Sequence, residues 1–215
     1  MSKLSKNAGL CGASILIALD LWVLFGCFKL RGIGLFNEAL DNMLPCGLLL
    51  GIFAFCALFE KPVAIKLGYA SVVVFGIAAI LRFVSGIIYL LDMIKFMDQT
   101  GESIDSLLKS EGIAILEFFA FVPLVISAIL LVFHVLKNKM KKATQIVGGI
   151  SIFALVIAWC TKVYDLVSFG MAEAQSFTEI YFNIFKAGLV WDILLFVGYA
   201  LILGSLTGAL ESKKE

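Results

Sequence analysis

Seven charged side chains interrupt otherwise apolar stretches of this 215-residue chain: Asp20, Arg82, Asp92, Glu117, Lys162, Asp165 and Asp192. Groups of this kind pair with one another, hold a proton or hold a cation when water is excluded. Arg82 stands in the longest apolar stretch, Leu67 to Met97. Its guanidinium keeps its proton, and setting it against lipid costs from about 3 to well over 10 kcal/mol. It needs a carboxylate from another segment, and Glu117 is the first choice. Lys162 and Asp165 are spaced i, i+3 and can pair along one helix face. Five carboxylates then face two cations. Asp92 is placed to reach an aqueous boundary. Asp20 and Asp192 must carry a proton, share a hydrogen bond or hold a cation. The candidate ligand- or proton-binding set is therefore Asp20, Arg82, Glu117, Lys162, Asp165 and Asp192.

Catalytic and metal chemistry find no comparable set. The lone histidine, His134, precedes a lysine-rich turn and reads as a solvated end residue. There is no H-E-x-x-H, no G-x-S-x-G elbow and no glycine-rich phosphate loop. The five cysteines (Cys11, Cys27, Cys46, Cys56, Cys160) form neither a C-x-x-C pair nor a zinc spacing and read as small apolar residues. Cys27 and Cys46 are expected near the outer end of one hairpin. No enzyme activity, metal or cofactor is expected. A net charge of +1 argues against a nucleic-acid partner.

Hydrophobic residues make up 61% of the chain and charged residues 15%, with a mean hydropathy of +1.04. A soluble domain carries roughly 25% charge, so the apolar excess is expected to face lipid. The fold class expected is all-α: a polytopic membrane protein, a six-transmembrane-helix bundle built as three helical hairpins. Its spans fall at about 8–29, 42–60, 67–95, 112–136, 146–171 and 184–210. No Pro-, Gly- or Ser-rich linker divides them, so residues 1–215 form a single domain. The first run carries Asp20 and lacks a small-x-small site after it, unlike a cleaved signal. Lys3, Lys6, Lys61, Lys66, Lys137, Lys139, Lys141, Lys142, Lys213 and Lys214 all fall on one side of six spans. Lys29, Arg31, Lys95, Lys109 and Lys186 fall on the other. That bias puts both termini in the cytoplasm, in a plasma or inner membrane.

About 20 residues before the end of each even-numbered span stands a carboxylate (Asp41, Glu117, Asp192), and each odd one carries a charge in its outer half (Asp20, Arg82, Lys162). This is a weak threefold repeat of hairpins. The outer connections carry apolar residues at i, i+3, i+4 (Phe36/Ala39/Leu40, Ile104/Leu107/Leu108, Phe177/Ile180/Tyr181). They read as short amphipathic outer helices or as the first turns of the next span, and Ser176-Phe-Thr-Glu179 is a capping-box start. Gly47-x-x-x-Gly51 and Gly204-x-x-x-Gly208 suit close helix packing. Pro45 suits a first turn and Pro123 a kink. The inner half is expected to be a dry packed plug and the outer half an acidic pocket that concentrates cations. Three tandem hairpins resemble the layout of the mitochondrial carriers, whose Pro-x-acidic-x-x-basic signature is absent. Size and span count are similar to the substrate-capturing subunits of vitamin transporters. The function expected is binding or transport of a small cationic solute or protons. The alternative is a non-catalytic subunit or assembly factor of a larger complex, its intramembrane charges docking helices of a membrane protein partner.

Overall fold

The computed structural model describes residues 1–27, 44–101, 104–173, 176–180 and 189–210. Among these the fold is all-helical. Six helices follow one another: α1 (Lys3–Cys27), α2 (Leu44–Leu58), α3 (Val63–Thr100), α4 (Ile104–Lys137), α5 (Lys141–Ala172) and α6 (Leu189–Leu206). Each expected span overlaps one helix, though residues 28–29, 42–43 and 184–188 of those spans lie outside the described residues and α4 begins at Ile104, ahead of the expected 112. Pro45 lies in the first described turn of α2, and Pro123 is carried inside α4 without ending it. Ile104, Leu107 and Leu108 open α4 rather than forming a separate outer helix, since no proline stands between them and the span. Three helices are long and apolar enough to cross a membrane, at Lys3–Trp22, Val63–Met97 and Lys141–Ala172. The apolar lengths described in α2, α4 and α6 are shorter: Cys46–Leu58, Phe121–Lys137 and Asp192–Leu206.

Neighbouring helices run antiparallel. The start of α1 meets the end of α6, where the Ser5 hydroxyl donates to the Ser205 carbonyl at 3.4 Å. It also meets the end of α2, where Lys6 Nζ lies 4.8 Å from the Phe59 ring centroid. The start of α3 faces the end of α4, with Gly68 against Val132 and Leu136. The start of α5 faces the end of α6 through Gln145 Nε2, which donates to Thr207 Oγ1 at 3.3 Å. Two short turns at this same lysine-rich end join α2 to α3 and α4 to α5. Glu60 (φ 54), Asn138 (φ 51) and Met140 (φ 67) take left-handed backbone there.

The packing follows an alternating plan. Each odd helix sits between two even ones: α1 against α2 and α6, α3 against α2 and α4, α5 against α4 and α6. The even helices touch one another more lightly across the middle. They supply most of the buried core: Leu50, Phe53 and Ala54 from α2; Val125, Ala128, Leu131 and Val132 from α4; Tyr199, Ile202 and Leu203 from α6. The odd helices add Ala13, Leu16 and Phe75. Their outer faces stay apolar and uncovered, with Ile80 64% and Phe153 68% exposed. Such a surface suits lipid better than water.

The core formed by the described residues lies toward the lysine-rich end. It also holds polar groups: Ser71, Thr144, Ser151 and Thr207 are buried. Each donates to the carbonyl four residues back in its own helix, at 2.6–2.8 Å, which removes the cost of burying a bare hydroxyl. His134 departs from the expectation of a solvated end residue. It is 7% exposed, and its Nδ1 has no hydrogen-bond partner among the described residues. It shares a helical face with the buried Ser127 and Leu131, so the bundle covers it.

Two glycine signals resolve differently from one another. Gly47 and Gly51 do admit α1: a Cβ on Gly51 would stand 3.0 Å from the Ala13 carbonyl oxygen. Gly204 and Gly208 instead end α6. Gly208 takes φ 69, and the Leu210 N–H returns to the Gly204 carbonyl at 3.1 Å, a glycine-dependent helix stop. Another close helix crossing uses two glycines outside either pair. A Cβ on Gly12 would lie 2.5 Å from the Gly198 carbonyl oxygen, and one on Gly198 3.2 Å from that of Gly12. The capping box forms as expected. Ser176 N–H and Oγ donate to Glu179 Oε2 at 2.7 and 2.8 Å, and Glu179 N–H donates to Ser176 Oγ at 3.3 Å. These bonds, the backbone one foremost, hold the exposed Glu179 carboxyl below its ordinary range.

Candidate functional site

Asp20 is the best-defined member of the candidate set. It lies on the face of α1 that also carries Ala13, Leu16 and Ile17, one to two turns apart. That face packs on α2. Burial of those apolar neighbours draws the carboxylate inside, leaving Asp20 5% exposed. Room for it comes from Gly47. A Cβ there would lie 2.7 Å from Oδ2 and 2.9 Å from Oδ1. The small-residue pair read as helix packing therefore also seats a charged group.

The carboxylate meets the first described turn of α2. The Leu48 backbone N–H hydrogen-bonds to it, and Cys46 stands beside it. A helix start is a favourable place for negative charge, since its N–H groups point outward from the helix end. One oxygen is left over: Oδ2 is buried with no hydrogen-bond partner among the described residues. A buried carboxylate oxygen without a donor is costly. A proton or a small cation on that oxygen removes the cost. This is the chemistry the arrangement makes available.

The other candidates distribute as follows. Arg82 lies in α3 and Glu117 in α4, but their side chains, and so the expected pair between them, lie outside the described residues. Lys162 on α5 is half-buried and Asp165 exposed. Asp192 is half-buried in the first turn of α6. Trp159 Nε1 donates to the Leu189 carbonyl at 2.7 Å. That contact places Lys162 one turn farther from the lysine-rich end and Asp192 one turn nearer to it. Asp92 is exposed and pairs with Lys95 at 3.4 Å, in keeping with an aqueous boundary. The side chain of Cys27 lies outside the described residues, but Cys46, which was expected near it, is a free thiol and so makes no disulfide. The outer connection containing Phe36, Ala39 and Leu40 also lies outside the described residues.

An acidic vestibule is not what the described residues form next to Asp20. The groove there, open and about 280 Å³, is lined by Ile15, Ala18, Leu19, Trp22 and Leu194. It lies between α1 and α6, whereas Asp20 faces α2. No cluster of three His, Cys, Asp or Glu side chains suited to a metal occurs among the described residues.

Two buried polar groups were not singled out by sequence reasoning. Tyr199 and Ser127 hydrogen-bond across α6 and α4 in the core. The Ser127 hydroxyl also donates to Leu124 O at 2.7 Å. A hydroxyl has one proton, so Tyr199 is the donor to Ser127. Neither residue interrupts its apolar run with a charge, and that was the signal followed. No protein-family model matches the chain, and comparison with curated proteins and with solved structures finds no match.

Proposed function

We propose that this chain is a six-helix integral membrane protein that binds or transports protons or a small cation, with Asp20 as the binding carboxylate. The observation that carries the reading is the buried Asp20 with Oδ2 unpartnered at the start of α2. A protein selected only for stability has little reason to keep a bare carboxylate oxygen between two apolar helices; intramembrane carboxylates commonly serve ion or proton pathways. The six helices cross as three hairpins, α2, α4 and α6 forming the centre. The lysine-rich end faces the cytoplasm, where positive charge is retained, and both termini lie there. Asp192, on a helix adjacent to α1, serves the same path. Lys162 and Asp165 stand at the mouth of that path, in the half away from the lysines.

The test is flux into liposomes holding the purified protein, read with a pH-sensitive dye under an imposed potential, then with monovalent and organic cations. Wild-type protein should carry one of these. Asp20→Asn should reduce it at least tenfold while helicity and monodispersity persist, and Asp92→Asn, at an exposed site paired with Lys95, should not. Wild-type protein that moves none of them overturns the transport reading.

A second reading has its own support. Outer α3 presents an uncovered apolar stripe, with Ile80, Phe83, Val84, Ile87, Ile88 and Leu91 all exposed at i, i+3, i+4 and i+7 spacing. An uncovered stripe of this kind suits lipid or a partner's helix. In that reading the chain is a non-catalytic subunit, and mild extraction recovers it in a larger complex.

A further inference from the structure

The lysine-rich end has a pattern that orientation in a membrane does not require. Its charges form three groups, one at each alternate corner of the helix ring. Lys3 and Lys6 stand at the start of α1, and Lys61 and Lys66 at the α2–α3 turn. Lys137, Lys139, Lys141 and Lys142 surround the α4–α5 turn. All are exposed except the half-buried Lys6, whose ammonium over Phe59 ties the first group to the second. Glu60 is the one carboxylate within these described segments. Each group also holds bare apolar side chains: Leu4 at 75% exposure, Val63 at 46%, Ile65 at 55% and Met140 at 57%. The left-handed backbone of Met140 sets it at the tip of the turn between Lys139 and Lys141.

Lysines alone would suit any polyanion. Lysines interleaved with exposed Leu, Val, Ile and Met suit a surface that is anionic outside and apolar just beneath. We propose that this end of the bundle binds acidic phospholipids, their phosphate headgroups on the lysines and their glycerol and upper acyl regions on the interleaved apolar side chains. The inference rests on the membrane reading above but not on the role of Asp20. Ammonium groups supply the attraction without fixed geometry, so arginine should replace lysine here and salt should weaken the contact.

The experiment is lipid retention in nanodiscs mixing phosphatidylglycerol and phosphatidylcholine, with the lipids that survive detergent extraction counted by native mass spectrometry. Wild-type protein should retain phosphatidylglycerol at least tenfold over phosphatidylcholine. The triple variant K139Q/K141Q/K142Q should lose most of that preference, and K139R/K141R/K142R should keep it. These residues are exposed, and unchanged helicity verifies the fold. Met140→Ser should weaken retention although it changes no charge. Equal retention of the two lipids, or Met140→Ser without effect, overturns the proposal; inorganic phosphate competing as well as phosphatidylglycerol does so too, pointing to a soluble anion. Acidic-lipid preference without cation flux would sink the transport reading and leave this one standing, and flux without lipid preference the reverse.

Discussion

Gly12→Ala adds one methyl group, and the bundle has no room for it. The new Cβ would stand 2.5 Å from the Gly198 carbonyl oxygen, 2.9 Å from Leu201 Cβ and 3.1 Å from Ile202 N. A relaxed carbon–oxygen contact is about 3.3 Å, so α1 and α6 must separate by roughly 0.8 Å. The obstruction is backbone, which cannot swing aside as a long side chain would. Overpacking of this kind costs about 1–3 kcal/mol. A gap of that width also forfeits a quarter to a half of the dispersion attraction among the contacts it opens. We expect destabilisation of about 2 kcal/mol, roughly a 30-fold fall in the folded-to-unfolded ratio. Gly76 and Gly149 provide the control, since a Cβ at either meets nothing within 4 Å. Both lie inside helices, where Ala is favoured over Gly by about 0.5–1 kcal/mol. The same substitution should therefore weaken one site and leave two others unchanged or stronger. Unfolding in mixed micelles, followed by circular dichroism against denaturing detergent, reads all three. If Gly12→Ala resists unfolding as well as Gly149→Ala does, α1 and α6 do not cross at these glycines.

The buried hydroxyl pair gives an asymmetric expectation. Ser127→Ala strands the Tyr199 hydroxyl and should cost about 1–3 kcal/mol, whereas Tyr199→Phe leaves Ser127 still bonded to Leu124 and should cost less. The double variant should match Tyr199→Phe in a stability cycle; simple addition of the two effects would refute the bond between them, and equal costs for the two single variants would refute the donor assignment. The capping box predicts a local pH effect. Glu179 is held below its ordinary range by the Ser176 N–H and hydroxyl. Its stabilisation of this turn is therefore present above the ordinary carboxylate value and lost as pH falls through the lowered one. Protection of the Ser176 and Glu179 amides from exchange, corrected for intrinsic rates, should fall over that acid window, and flat protection would contradict it. Gly47→Ala should mimic Asp20→Asn in the flux assay, since its Cβ would occupy the carboxylate's place. Retained flux in Gly47→Ala would separate the two residues.

Much of this molecule was legible in local composition. Long apolar runs bounded by lysines identify helices because backbone hydrogen bonding and hydropathy act within a segment, and the described part of each expected segment overlaps a helix. Ser176 and Glu179 could be paired from spacing alone, since a capping box closes within four residues. The same local signals failed at Ile104, where apolar spacing could not tell a short outer helix from the opening of α4. They failed too at Gly204 and Gly208, where packing and helix termination use the same residue type.

What decided the rest was which faces meet. Sequence alone determined that Asp20 interrupts an apolar helix, but Lys162, Asp165 and Asp192 do so equally. Tertiary packing buried Asp20 against Gly47, left Asp165 exposed, and enclosed His134 at an end where lysine neighbours suggested solvent. It also brought Gly12 to Gly198 and Ser127 to Tyr199 across gaps of 186 and 72 positions. Hydropathy records how much of a segment leaves water. Burial of a single side chain depends on the neighbouring helix that covers it, and that information lies elsewhere in the chain.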